Sequence, residues 1–261
     1  MQTDLTHLSL CSGIGGLDLA AEWAGFKTIG QCEINEYASK VLAKNFPGVK
    51  NYGDIRTITN KLLAADGIGQ ITVVSAGIPC QPYSLAGKGL GDSDERDLEQ
   101  EFIRVVGELR PKWLVVENTP GLFARKNQRY FNRILQDISA LGYSVGWGMW
   151  GACDVGALHK RDRIFIIAYT TGERRNQTEI LVEKSCKSGE TQSCEGIQKS
   201  GFKFNRIYSF LRWCKTIGDN DRSSDGISKE MDRLIGLGNA VVPQQAYPIF
   251  KAIADYERNL D

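Results

Sequence analysis

Apolar positions along this chain follow two rhythms. Short, nearly continuous apolar runs end at Gly, Pro or charged residues. Longer runs repeat their apolar residues three and four positions apart, the period of a helix face. The short runs are His7 to Cys11, Lys27 to Cys32, Ile71 to Ala76, Trp113 to Val116, Tyr143 to Trp150 and Arg163 to Tyr169. They predict strands, and their lack of alternation suits strands covered on both sides. The helical runs are Leu17 to Trp23, Asn35 to Asn45, Leu98 to Leu109, Phe131 to Leu141 and Gln244 to Arg258. In the fourth, Phe131, Ile134, Leu135 and Ile138 mark the core-facing side. Gly53-Asp54-Ile55 reads as a third strand–helix connection, and Pro111 closes the helix before Trp113. Strand and helix alternate, so the predicted fold is α/β: a mostly parallel, Rossmann-like sheet with helices on both faces.

The pattern fails after residue 170. From Thr171 to about Lys229 the chain is polar and rich in Ser, Lys, Glu and Gly. One aromatic, basic island interrupts it, Phe202 to Tyr208 followed by Phe210-Leu211-Arg212-Trp213. Residues 171–237 are therefore read as a small irregular insertion domain. Residues 1–170 form the main body, and 238–261 return to it, because the apolar side of the last helix (Ile249, Phe250, Ile253) must be buried.

Composition adds limits. The chain has 261 residues and a formal net charge of +1, so any nucleic-acid surface must be a local patch. Seven cysteines, none in a CxxC pair, read as free thiols in a reducing compartment and not as a zinc site or other metal centre. No basic, apolar leader opens the chain and no apolar run reaches membrane-spanning length. The expectation is a cytoplasmic protein with no membrane partner.

The chemistry-bearing residues gather at predicted strand ends. Ser12-Gly13-Ile14-Gly15-Gly16 is a glycine turn between strand and helix, where backbone approaches a ligand closely. It lacks the third glycine of the dinucleotide fingerprint. Glu33 ends the next strand about 20 residues on, placed for ribose hydroxyls or for the start of the following helix. Asp54 suits an adenine amino group or a helix cap. Gly77-Ile78-Pro79-Cys80-Gln81-Pro82-Tyr83-Ser84 sets a cysteine between two prolines just past a central strand, a stiff seat for a nucleophile. The glycine-rich run Gly87 to Asp92 follows it as a flap. Glu117-Asn118 ends the neighbouring strand. Arg161 and Arg163, two apart, are expected to point the same way and to hold phosphate or a carbonyl oxygen.

In their order these pieces resemble the DNA cytosine-5 methyltransferases. Ser12 to Gly16 is similar to the family's cofactor turn, and Glu33 and Asp54-Ile55 to its ribose and adenine contacts. Gly77 to Pro82 resembles its Pro-Cys nucleophile motif, Asp94 to Arg96 the next motif, and Glu117-Asn118 its Glu-Asn-Val motif with Thr119 in place of Val. His159 to Arg163 resembles its Gln-x-Arg-x-Arg motif with His159 for Gln, and Gly238-Asn239-Ala240 its closing Gly-Asn-Ser. Cys11 stands where the family commonly has Phe.

The resemblance implies the S-adenosylmethionine-dependent methyltransferase fold and methylation of carbon 5 of a flipped-out cytosine in duplex DNA. Cys80 would be the nucleophile, with Glu117, Arg161 and Arg163 as its catalytic companions. S-adenosylmethionine would meet Ser12, Gly13, Ile14, Gly15, Gly16, Leu17, Glu33, Asp54, Ile55, Gly77, Pro79, Leu98, Asn239 and Ala240. The DNA would meet Gln81, Ser84, Asn118, Arg206 and Arg212, the last two within the insertion as target readers. Expected partners are double-stranded DNA and, in a restriction–modification setting, a companion restriction endonuclease. The expected state is a monomer in the cytoplasm of a bacterial or phage-infected cell. Three rivals stand beside this reading: the same chemistry on tRNA, a DNA-binding protein that keeps the cofactor fold without turnover, and a nicotinamide oxidoreductase.

Overall fold

The computed structural model describes residues 4–78, 98–124, 127–170 and 240–259. Within them lie β1 (Thr6–Leu10), α1 (Gly16–Trp23), β2 (Lys27–Cys32), α2 (Glu36–Asn45), α3 (Asn60–Ala65), β3 (Val73–Gly77), α4 (Glu99–Leu109), β4 (Trp113–Asn118), α5 (Gln128–Ala140), β5 (Ser144–Trp150), β6 (Arg163–Tyr169) and α6 (Pro243–Arg258). The predicted α/β alternation holds. The strand expected before Gly53 does not: only Asn51 bridges to Gln31, and the chain then enters a 3-10 turn, Ile55–Thr57. That stretch is too short and polar to extend a ladder, and Asn51 uses its side chain instead, accepting from the Glu33 and Gly53 amides.

Among the described residues the sheet order is β2-β1-β3-β4-β6-β5. The first four strands run parallel, while β6 is antiparallel to both β4 and β5. From β1 the chain crosses to β2 on one side, and β3 lies on the other. Their carboxyl ends therefore diverge and open a crevice, the usual ligand position in such sheets.

Alternation along the strands divides the core into two layers. Leu8, Leu10, Val74, Ala76, Leu114, Val116, Ile164 and Ile166 face a layer with Phe102 and Val105 of α4 and Ile134 and Ile138 of α5. Val73, Trp113, Val115, Phe165 and Ile167 face the other, with Leu17, Ala20 and Ala21 of α1 and Ile249, Phe250 and Ile253 of α6. The central strands β1, β3, β4 and β6 are thus covered by helices on both sides, which explains their near-continuous apolar runs, while the edge strand β5 leaves Trp147 and Met149 exposed.

Local signals set the helix limits. Asn35 caps α2 by accepting from the Ala38 amide at 2.9 Å. Helix α1 ends in a Schellman turn, with Gly25 at φ 88°, its amide on the Glu22 carbonyl and the Phe26 amide on the Ala21 carbonyl. At its far end α6 is pinned by Glu257, which accepts from the Trp113 indole at 2.9 Å and from Lys112 at 2.7 Å. No helix among the described residues is long and apolar enough to cross a membrane.

Candidate active site at the carboxyl edge of the sheet

The site is built from strand ends. Leaving β1, Cys11 takes a left-handed backbone at φ 49°. The Ser12 amide donates to the Cys32 carbonyl at 3.1 Å. The Ser12 hydroxyl donates to the Ser9 carbonyl at 3.1 Å and accepts from the Cys32 amide at 3.2 Å. Its side chain therefore staples β1 to β2 and is 7% exposed, so what it offers outward is backbone. Gly13 and Gly15 have φ 57° and 89°, and Gly15 is the N-cap of α1 without a side-chain cap. A Cβ on Gly15 would lie 2.4 Å from the Phe46 ring, and one on Gly16 would lie 2.3 Å from the Val241 carbonyl oxygen. The two glycines admit α2's end and the segment before α6.

Glu33 closes this turn from β2. One carboxylate oxygen accepts from the Gly13 amide at 2.7 Å and the other from the Asn35 amide at 2.7 Å. Asp54 caps the 3-10 turn, accepting from the Arg56 amide at 2.9 Å, and pairs with the Arg56 guanidinium at 3.2 Å. Ile55 is buried beneath it. The Cys32 thiol donates to the Gly53 carbonyl at 2.9 Å, and burial pushes its pKa up to about 12. Burial also pushes the Cys11 thiol up, with Cys32, Glu33 and Asp54 adding to the effect. Cβ atoms built on Gly13 and Gly53 would meet nothing within 4 Å, so this rim of backbone faces open space. Across the crevice, a Cβ on Gly77 would lie 3.3 Å from the Cys11 carbonyl oxygen. Leu98 stands at the start of α4, partly buried against the core.

The second half of the site lies on β4 and β6. Gly77 of β3 is in register with Glu117, and Glu117 with Phe165 of antiparallel β6. Arg163 is then the diagonal neighbour of Glu117 on the same face, within reach of a long side chain. The Arg163 Nε lies 2.7 Å from Glu117 Oε1, with side chains 13% and 10% exposed. Burial raises the Glu117 pKa to about 7, against the opposing pull of Arg163 and then Arg161. Arg161 also faces this carboxylate, and its own pKa is lowered by burial and by Arg163. Strand alternation, expected to align the two arginines, does not do so. Arg161 precedes β6 at φ 31°, in a left-handed turn, so a fold of the backbone and not strand alternation brings it to Glu117. Its guanidinium donates to the Ala240 carbonyl. Asn118 turns to the other face. Its Oδ1 accepts from the Thr119 amide at 2.8 Å, while its buried Nδ2 has no hydrogen-bond partner among the described residues.

Pro79, Cys80, Gln81, Ser84, Arg206, Arg212 and Asn239 lie outside the described residues. So does the whole of segment 171–237. Among the described residues no group of His, Cys, Asp and Glu could hold a metal ion.

The family model for C-5 cytosine-specific DNA methylases matches residues 5–212. The chain belongs to that family. Among methylase relatives, the Type II methyltransferase M.NgoMIV of Neisseria gonorrhoeae is 38% identical over 164 residues, 62% of this chain and 51% of that protein. The Type II methyltransferase M.HgiCII of Herpetosiphon aurantiacus is 37% identical over 61% of this chain and 36% of its own length. The chain thus spans about half or less of these relatives. A solved candidate DNA modification methyltransferase from an E. coli prophage superposes with a TM-score of 0.55 at 30% identity, over 64% of this chain and 47% of that one. The Entamoeba histolytica methyltransferase EhMeth shares the fold, with a TM-score of 0.54 at 22% identity over 71% and 58% of the two chains.

Two parts of this methylase body had no signal in the sequence pattern. Asp18 reads as the polar side of α1, yet it is fully buried and accepts from Ser9 and Gln31, each at 2.9 Å. Gln245 reads as one of two helix-start glutamines, yet it is buried beside the Arg161 turn.

Proposed function

We propose that this chain transfers a methyl group from S-adenosylmethionine to carbon 5 of cytosine in duplex DNA, through a covalent adduct at Cys80. The observation that carries the reading is the Glu117 site. A buried carboxyl group poised near neutrality faces two arginines, one strand away from Gly77, and Cys80 follows Gly77 by three residues in sequence.

The crevice between β1 and β3 fits the cofactor. Open backbone at Gly13 and Gly53 lies between two carboxylates, Glu33 and Asp54, and the start of α1 has no side-chain cap. Glu33 has room on its oxygens for a ribose hydroxyl beyond the two amides it already holds. The amides at the head of α1 suit the cofactor's carboxylate. Ile14, Gly15, Gly16, Leu17, Ile55, Gly77, Leu98 and Ala240 complete the proposed lining, with Pro79 and Asn239. When bound, S-adenosylmethionine supplies an electrophilic methyl group on sulfur.

The chain's own residues do the rest. Carbon 5 of cytosine is a weak nucleophile until a thiolate adds at carbon 6, and Cys80 forms that bond; once carbon 5 carries the methyl group it gives up its proton to a base, the Cys80–carbon 6 bond breaks, and the thiolate is released. Protonated Glu117 donates to ring nitrogen 3 as negative charge develops there, and accepts from the exocyclic amine. Its position near half-ionisation at neutral pH suits both roles. Arg161 and Arg163 orient Glu117 and hold the base oxygen or the flanking phosphate. A stacked base hides its ring face, so the cytosine must leave the helix, at a cost of a few kcal/mol. Asn118, Gln81 and Ser84 are proposed to steady the Pro-Cys loop and the base. Segment 171–237, with Arg206 and Arg212, is proposed to read the flanking sequence.

The reading is tested with duplex DNA in which cytosine is replaced by 5-fluorocytosine. The fluorine cannot leave as a proton does, so the protein should become covalently attached to the DNA in the presence of S-adenosylmethionine. Cys80→Ala should form no adduct. Absence of a denaturant-stable complex with the folded wild-type protein would overturn the assignment.

A further inference from the structure

The segment that leads into α6 does more than close the fold. With the first turn of α6, it bonds both Arg161 and the end of β5. The Ala240 carbonyl accepts from the Arg161 guanidinium. The Gln245 side-chain nitrogen donates to the Arg161 carbonyl at 3.0 Å and to the Trp150 carbonyl at 3.1 Å. The Gln245 carbonyl accepts from the Trp150 indole at 3.1 Å. Both side-chain donors of Gln245 therefore go to backbone acceptors, which fixes the orientation of the amide. The residue is fully buried, and its Oε1 has no hydrogen-bond partner among the described residues. Burying an amide with an unsatisfied oxygen is costly. An apolar residue would pack here more cheaply if burial were its only task.

What the amide holds is unusual. Arg161 sits in a left-handed backbone at φ 31°, a region that disfavours a side chain with a Cβ. Next to it the chain doubles back tightly. The Ala152 amide donates to the Lys160 carbonyl at 2.8 Å, and a Cβ on Gly151 would lie 2.6 Å from that oxygen. A strained turn persists only where its surroundings over-determine it. Gln245 supplies that restraint from α6, bonding the end of β5 and the turn before β6 with one amide.

On this geometry the structure assigns Gln245 as the positioning residue that sets the Arg161 guanidinium against Glu117. The assignment rests on the proposed roles of Arg161 and Glu117. It goes beyond them in making the start of α6 a working part of the site. The charged groups facing Glu117 from the described elements are Arg163 on β6 and Arg161 on the turn before it; its neighbour on β3, Gly77, carries none. Loss of the Gln245 bonds lets Arg161 withdraw, leaving Arg163 alone to favour the ionised carboxylate. Glu117 then holds its proton to higher pH.

The test compares wild type, Gln245→Met, Gln245→Asn and Arg161→Ala by methyl transfer from radiolabelled S-adenosylmethionine to unmethylated genomic duplex DNA, across pH 6 to 9. Gln245→Met keeps the volume and removes both donors. Its kcat should fall about 10- to 100-fold, the scale of a misplaced catalytic group. The KM for S-adenosylmethionine should stay within about twofold, and the high-pH limb of the profile should move upward. Gln245→Asn keeps an amide that reaches one carbonyl and should fall between the two, which keeps the test informative if the Met variant folds poorly. Wild-type kcat and pH profile in both variants would overturn the proposal. So would a loss of kcat in proportion to lost folded protein, with the pH profile unmoved. If Arg161→Ala is itself fully active, the roles given to Arg161 and Glu117 are wrong. If Arg161→Ala is inactive while the Gln245 variants behave as wild type, the inference about Gln245 alone is wrong.

Discussion

Asp18 and Glu117 are both buried carboxyl groups against this sheet, and their surroundings differ. Between α1 and the strands, Asp18 accepts from the Ser9 hydroxyl and the Gln31 amide. Close by, His7 meets Thr28 at 3.1 Å and Ser75 at 2.7 Å. These partners are neutral. Burial pushes Asp18 up to about 6, with the Gln31 and Ser9 bonds pulling against it and the Glu22 charge adding to it, and burial takes His7 down to about 3. At the carboxyl edge, Glu117 is buried as well, but guanidiniums face it, and it stands near 7. Neutral donors hold Asp18 in place, and no cation stands among the groups that set its proton. The charged partners of Glu117 make its proton depend on how closely two arginines approach. The first arrangement is held by neutral donors, and the second has the charged surroundings proposed here for a group that moves a proton.

The largest effect is expected at Glu117. Glu117→Gln keeps the shape and an amide donor but cannot share a proton. Methyl transfer should fall about 10²- to 10⁴-fold. In wild type the same proton makes activity decline as pH rises through about 7, because the required form is the acid. A rate measured from pH 5.5 to 9 checks both. A flat profile in wild type would place Glu117 with Asp18, as scaffold.

Glu33 should give the next largest effect. Glu33→Ala removes two charge-assisted bonds that hold the glycine turn and the start of α2. Cofactor affinity should weaken by about 1.5–3 kcal/mol. Titration calorimetry with S-adenosylmethionine reads this directly, and unchanged affinity would confine Glu33 to the helix start.

Asp18 should give the smallest effect on turnover and an inverted effect on stability. Its folded pKa, about 6, lies above its ordinary value of 3.8, so the folded state favours the acid form. Asp18 therefore costs no stability below the ordinary value, and the penalty grows until pH passes about 6. Asp18→Asn removes that penalty. Above pH 6 the variant should match or exceed wild type by up to about 3 kcal/mol, with the advantage gone near pH 4. Denaturant melts at pH 4 and pH 7.5 test the sign, and methyl transfer should change less than about threefold.

Much of this was legible in the sequence because strand ends speak plainly. Lys27 to Cys32 followed by Glu33, and Trp113 to Val116 followed by Glu117, each put a carboxylate after an apolar run, and the structure has both strands there. What escaped was tertiary. Arg161 and Arg163 were expected on one side for the wrong reason, because alternation cannot see a left-handed turn. The strand before Gly53 was expected from punctuation that in fact serves a 3-10 turn. Asp18 and Gln245 carry no pattern at all, since a polar residue on a helix reads as exposed until a neighbouring strand or turn supplies its partners.

The central claim is that this edge, with Cys80, methylates cytosine. The most direct measurement is base-resolution detection of 5-methylcytosine in DNA from methylase-deficient cells expressing the protein. Wild type should mark cytosine within one recurring sequence, and Cys80→Ala, at equal folded amount, should leave none. No 5-methylcytosine with wild type, or equal marking by Cys80→Ala, would contradict it.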